Sequence, residues 1–227
     1  MVSKCAVSTP EQIVDQYIKF GYSTVVITDH LNECNFLRIS KTADLDERIE
    51  SFLLGYKKVK EAAGDRLNVL LGAELSFNGT GSTDFLIYGA TEEFFRKTPD
   101  LYLHDRHWAS AHIHNNGLLF YQAHPFRFSS MLCEPHLLDG IEVYNGQAEQ
   151  NSHNNLSEEW VRMYPNLKVI SGTDHHGPGH YPTAGIYTDE PITSNEQLME
   201  ILRSGNYSLI RDEETRNRCI KEMNYDA

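Results

Sequence analysis

Short runs of apolar and β-branched residues recur along this chain, and segments with apolar residues at helical spacing separate them. The runs are Ser23–Thr28 (STVVIT), Asn68–Phe77 (NVLLGAELSF), Asp84–Tyr88 (DFLIY), Leu118–Gln122 (LLFYQ), Gly140–Tyr144 (GIEVY), Leu167–Ser171 (LKVIS) and Ala184–Tyr187. Most lack the polar alternation of a half-exposed strand, so they read as strands buried on both faces. Between them, Thr9-Pro10-Glu11-Gln12 is a helix start, with Thr at the cap, Pro in the first position and Gln in the third. Ile13, Val14, Tyr17 and Ile18 continue it, and Leu45, Ile49, Phe52, Leu53, Tyr56 and Val59 form a second apolar stripe that ends at Gly64. Further helices are expected over His107–Asn115, near Leu156–Met163 and from Ser194. Such alternation predicts an α/β fold with a parallel sheet and helices outside it.

The chain has 227 residues, which suits one domain over 1–227, and its 40% hydrophobic content suffices for a packed core. No apolar run is long enough to cross a membrane, and the first residues lack the apolar stretch of a signal peptide, so a cytoplasmic protein with no membrane partner is expected. Cys5, Cys34, Cys133 and Cys219 form no paired motif and read as reduced thiols. The net charge of −12 repels phosphate, which disfavours nucleic acid as a partner. It would repel a small phosphorylated substrate as well, unless bound cations reverse the local field.

Metal-ligand residue types recur just past the C-terminal ends of the expected strands: His30 beside Asp29, then Glu74, Asp84, His124, and Asp174 with His176. Catalytic sites of α/β proteins assemble at the C-terminal edge of the sheet. One such residue is usually a turn or capping residue, but turn chemistry does not account for five strand ends. Imidazoles and carboxylates suit zinc, manganese or iron, and a carboxylate such as Glu74 has one oxygen for each of two cations.

The segments GYSTVVITDH (21–30), LLGAE (70–74), QAHPFR (122–127), IEVYNG (141–146) and SGTDHH (171–176) resemble, in order, the motifs of the PHP (polymerase and histidinol phosphatase) family. The resemblance implies a distorted (β/α)7 barrel with two or three divalent metal ions. It implies a phosphoesterase that hydrolyses a small phosphomonoester, such as histidinol phosphate or a nucleotide, through a metal-bound hydroxide. By the same resemblance, Glu74 is the bridging carboxylate, His124 a ligand of the second metal, Asp174 of the first, and His30 and His176 of the third. Asp84 stands where many members carry a histidine. The family also opens on an HxH pair just before the segment matching Val2–Thr9, and the sequence begins at Met1 without it. A first strand cut short is therefore expected; the alternative is a catalytically degenerate metal- or ligand-binding module.

Arg127 and His180 are candidate substrate-phosphate ligands, and Glu142 and Asn145 are candidates to orient the metal ligands. His112-Ile113-His114 is also an HxH, but in a helix residues i and i+2 face different ways, so it reads as packing and surface histidines.

Overall fold

A computed structural model describes residues 3–225; Met1 and Val2, where the shortened first strand was expected, lie outside the described residues. Helix α1 (Pro10–Lys19) leads into β1 (Thr24–Ile27), β2 (His30–Leu31), α2 (Glu33–Ile39) and α3 (Leu45–Ala63). Then come β3 (Asn68–Leu71), β4 (Ala73–Ser76), β5 (Asp84–Tyr88), α4 (Glu92–Lys97), α5 (Arg106–Asn115), β6 (Leu119–Gln122) and β7 (Gly140–Asn145). The chain continues through α6 (Asn154–Val161), β8 (Lys168–Gly172), β9 (Ala184–Tyr187), α7 (Asn195–Ser204), β10 (Ser208–Arg211) and α8 (Glu213–Tyr225). The Thr9 side chain accepts from Gln12 N, and the Gln12 side chain accepts from Thr9 N, which is the capping box expected from the sequence.

Six strands form one sheet in the order β2-β4-β5-β6-β7-β8, with β1 paired to β3 and β9 to β10 in two smaller ladders. The expectation of a parallel sheet holds only in part, because β5 runs antiparallel to both β4 and β6. Only residues 77–83 separate β4 from β5, and a parallel return needs a crossover of a dozen residues or more. The reversal places Asp84, the first residue of β5, at the same edge of the sheet as the last residues of the parallel strands.

The β1–β3 ladder runs on into β2–β4, because Gly72 N donates to Ile27 O at 2.9 Å and Glu74 N to Asp29 O at 3.1 Å. Gly72 allows this close approach: a Cβ there would meet Ile87 O, Thr28 and Val26 at 3.0 Å. Among the described residues the sheet does not close into a barrel. β1 pairs only with β3, β8 only with β7, and a cavity lies between them. The fold is thus mixed α/β with a central sheet flanked by helices, and β10 and α8 extend it beyond the helix expected from Ser194.

The core packs α1, α3 and α4 onto the sheet through residues such as Val14, Phe52, Phe95, Phe85 and Phe120, all buried. No helix among the described residues is long and apolar enough to cross a membrane.

Candidate metal centre

His30 and Glu74 are direct cross-strand partners in the β2–β4 ladder. Glu74 divides its carboxylate: Oε2 lies 3.1 Å from Nδ1 of His30, and Oε1 lies 3.2 Å from Nε2 of His124. The same His124 nitrogen is 3.6 Å from Oδ2 of Asp84. His124 is fully buried and has a φ of 25°, and Asp174 has a φ of 47°. Non-glycine residues hold such backbone conformations only where their surroundings enforce them, and such strain concentrates at functional sites.

The enforcing contacts are visible. His124 N donates to Glu142 Oε2 at 2.9 Å, and Asn145 Nδ2 donates to the same oxygen at 2.9 Å and to Asp174 Oδ2 at 3.2 Å. Glu142 and Asn145 therefore brace His124 and Asp174. Arg127 donates from Nη2 to Asp174 Oδ2 at 2.5 Å, to Asn145 Oδ1 at 3.2 Å and to Ser152 Oγ at 3.1 Å. Arg127 was expected to meet substrate and Asp174 a metal; here they meet each other. His176 Nδ1 lies 2.9 Å from the backbone oxygen of Asp174, and His176 N donates to Nδ1 of His180 at 3.2 Å. The other ring nitrogen of His180 is 3.5 Å from Glu149. The helical HxH is elsewhere, with His112 against Thr98 and His114 against Asp139.

Two three-donor groups result, each with its ligand atoms mutually within 4.8 Å: Glu74, Asp84 and His124; and Cys5, His30 and His176. In the sequence Cys5 reads only as an unpaired reduced thiol, because it is a lone cysteine 25 residues from His30. Its position within Val2–Thr9, the segment that follows the missing HxH pair in the family resemblance, was the available signal.

The electrostatics couple these groups. Burial opposes a charge on His30, but Glu74, Cys5 and Asp84 lift its pKa to about 10. The thiol of Cys5 and the carboxylate of Asp174 raise His176 to about 9. Burial works against a thiolate on Cys5, yet the two imidazoles bring it down to about 6. Burial and the neighbouring Glu74 push Asp84 up to about 6, and burial pushes Glu142 up to about 7. Burial opposes ionisation of Asp174, but Arg127 and the nearby histidines hold its carboxyl below the usual carboxylate range.

Divalent cations fit this arrangement. The donor types suit zinc, manganese or iron, and Nδ1 of His30 and Nε2 of His124 are aimed at the two oxygens of one carboxylate, Glu74, as ligands around shared cations would be. These residues sit at one end of the cavity between β1 and β8, whose volume is about 580 Å³ and whose walls include Tyr22, Val26, Tyr88 and Ile170.

Solved structures match this fold over most of the chain. A two-domain protein from Bacteroides vulgatus, containing a predicted PHP-like metal-dependent phosphoesterase, matches with a TM-score of 0.64 at 17% identity, over 98% of this chain and 67% of that one. PsfC from Pseudomonas syringae matches with a TM-score of 0.66 at 12% identity, over 99% and 92%. The fold is that of PHP-like metal-dependent phosphoesterases. No family model matches the sequence, and neither does any curated protein.

The PHP-type fold also corrects one expectation. The lesion-specific endonuclease EndoQ from Pyrococcus furiosus matches with a TM-score of 0.61 at 14% identity, over 92% of this chain and 55% of that one, so this chain spans about half the nuclease's length. An Endonuclease Q structure holds a 27-mer duplex with an abasic lesion at the active site. The exclusion of nucleic acid on net charge therefore fails. A whole-chain charge does not set the field inside a cleft, where local groups and bound ions dominate.

Proposed function

We propose that this chain is a metal-dependent phosphoesterase that hydrolyses a small phosphomonoester where His30, Glu74, Asp84, His124 and His176 converge. The observation that carries this reading is the split carboxylate of Glu74, with one oxygen beside His30 and the other beside His124. Glu74, Asp84 and His124 would hold one divalent cation and His30 and His176 a second, with Asp174 available to either or to a third; zinc, manganese and iron all suit these donors. Bound there, such ions activate water and clamp the oxygens of a transferring phosphoryl group.

The protein's own groups position this chemistry. The β2–β4 ladder fixes Glu74 against His30, and Glu142 holds the backbone of His124. Nη1 of Arg127 makes no hydrogen bond among the described residues, while Nε and Nη2 are engaged. That leaves one edge of the guanidinium to bind a substrate phosphate without giving up Asp174. His180, beside His176, is the second candidate for that role. The adjoining cavity is in the size range of small-ligand sites, which supports a small substrate.

A second reading is a metal- or ligand-binding module without turnover. The Arg127–Asp174 pair favours it, because the guanidinium already supplies the positive charge that a metal would bring to Asp174. A panel of phosphomonoesters, including histidinol phosphate and nucleotides, separates the two readings when run with Mn, Zn and Fe beside an abasic-site duplex. Phosphate release that stops with chelator and in Glu74→Ala and His124→Ala supports the phosphoesterase. Tight metal binding with no turnover supports the module, cleavage confined to the duplex overturns the small-substrate assignment, and activity surviving both chelator and substitutions overturns the metal site.

A further inference from the structure

We infer that Cys5 is a metal ligand, and that it joins His30 and His176 in a thiolate–imidazole site that selects zinc over manganese. The inference rests on the metal-dependent reading above and goes further by giving this chain's cations two different donor chemistries.

The geometry comes first. The sulfur of Cys5 and one ring nitrogen from each histidine lie mutually within 4.8 Å. Zinc bonds of about 2.0–2.3 Å to nitrogen and sulfur place tetrahedral donors roughly 3.3–3.8 Å apart. The three groups need only a small contraction, within the reach of side-chain rotation.

The segment carrying Cys5 is also fastened to both histidines by contacts that involve no cation. Ser3 donates from N and Oγ to Asp29 Oδ1, and the backbone N of His30 donates back to Ser3 Oγ at 2.8 Å. Lys4 N donates to Asn35 Oδ1 at 3.0 Å, and Val7 N donates to the backbone oxygen of His176 at 2.7 Å. Cys5 is thus held between two tethers, one ending on the residue before His30 and the other on His176 itself. This explains the buried Asp29, which is in neither donor group and instead anchors the Cys5 segment.

The histidine orientation agrees. Nδ1 of His176 faces the Asp174 backbone oxygen at 2.9 Å, which fixes one proton there and leaves Nε2 as the position that a metal would take on displacing the second proton, the usual arrangement behind a metal-bound imidazole. The other cysteines have no such setting: Cys219 donates to Gly179 O, Cys133 is buried beside Glu134, and Cys34 is exposed on α2.

Donor chemistry gives the selectivity. A thiolate with two imidazoles suits zinc and binds manganese poorly, whereas Glu74, Asp84 and His124 offer two carboxylates and one imidazole, which suit either ion. Three protein donors also leave one position of a four-coordinate ion for a non-protein ligand.

The test loads the full chain with Co2+ and, separately, with Zn2+ in competition with Mn2+. The readouts are the near-ultraviolet sulfur-to-cobalt charge-transfer band, zinc X-ray absorption and metal content. The wild-type chain is expected to show the band and a zinc–sulfur distance of about 2.3 Å. Cys5→Ser should lose both and weaken zinc binding by more than about 10-fold, with an unchanged circular dichroism spectrum; Cys34→Ser should lose neither. His124→Ala should keep the sulfur band, since it affects the other group. Metal bound without sulfur in the wild-type chain overturns the inference and leaves the phosphoesterase reading standing. A sulfur band that persists in Cys5→Ser also overturns it. A chain that binds no cation at all overturns the metal-dependent reading itself.

Discussion

The guanidinium of Arg127 and the carboxylate of Asp174 form a buried ion pair, Nη2 to Oδ2 at 2.5 Å, with both side chains about one-tenth exposed. Asp174 keeps its charge in this buried setting because Arg127 is present. Removing one partner of a buried pair leaves the other charged and uncompensated, at a cost of about 3–5 kcal/mol. Arg127→Ala is therefore expected to lower the melting temperature of the metal-free chain strongly. If Asp174 can take a metal, saturating Zn2+ or Mn2+ should restore much of the loss by neutralising the same carboxylate. Thermal melts with and without metal test this; an equal loss under both conditions would mean that no cation reaches Asp174.

Glu74 sets its two carboxylate oxygens against two different histidines, His30 and His124. Glu74→Gln preserves shape but removes the charge and one acceptor, so it is expected to weaken both donor groups together. Asp84→Asn should weaken only the group it shares with His124. Metal analysis after equilibrium dialysis reads the difference: Glu74→Gln should lose more than one cation's worth of binding, and Asp84→Asn at most one. Equal losses in the two variants would show that Glu74 does not bridge.

Metal binding should release protons. His30 is raised to about 10 and His176 to about 9, so both are protonated at neutral pH in the metal-free chain, while Cys5, lowered to about 6, is already mostly thiolate. A cation binds the neutral imidazole, so it must displace those protons. Apparent affinity is then expected to climb as pH rises from 6 towards 9, with more than one proton released per chain at pH 7. The sign for stability is opposite. A histidine raised above its ordinary value stabilises the fold fully below about pH 6.5, and this contribution fades as pH passes the folded values of about 9 and 10. Calorimetry in buffers of different ionisation enthalpy counts the protons, and a pH-independent affinity would contradict charged His30 and His176 in the metal-free chain.

Much of this site is legible in the sequence, for a topological reason. Parallel strands bring their C-terminal ends to one edge, so residues such as His30 and His124, at or just beyond those ends, are neighbours whatever the loops do. Asp84 joined them by a different route: it begins an antiparallel strand, and only the seven-residue connection at 77–83 could have signalled the reversal. The Arg127–Asp174 pair spans 47 positions and depends on the turn after His124, which no periodicity encodes. Cys5 was hidden because its role comes from Ser3, Asp29 and Val7 fastening a short segment across the sheet edge. The gap between β1 and β8 was equally hidden, since apolar patterning marks buried strands without saying whether the two outermost ones meet.

Gly172 ends β8 directly beneath the brace of the site. A Cβ at this position would collide with Oε1 of Glu142, whose other oxygen accepts from His124 N and Asn145 Nδ2. Glu142 is buried and cannot swing aside without giving up those bonds, so Gly172→Ala is expected to cost about 1–3 kcal/mol of stability through overpacking. The effect should reach function as well, because His124 holds its strained φ of 25° while its backbone N–H is anchored on Glu142. Metal affinity at the Glu74, Asp84 and His124 group should fall, while the Cys5, His30 and His176 group keeps its cation. Combining Gly172→Ala with Glu142→Ala removes the collision but not the loss of the brace, so the double variant should recover stability without recovering metal affinity. Recovery of both would show that Glu142 fills space behind His124 without positioning it.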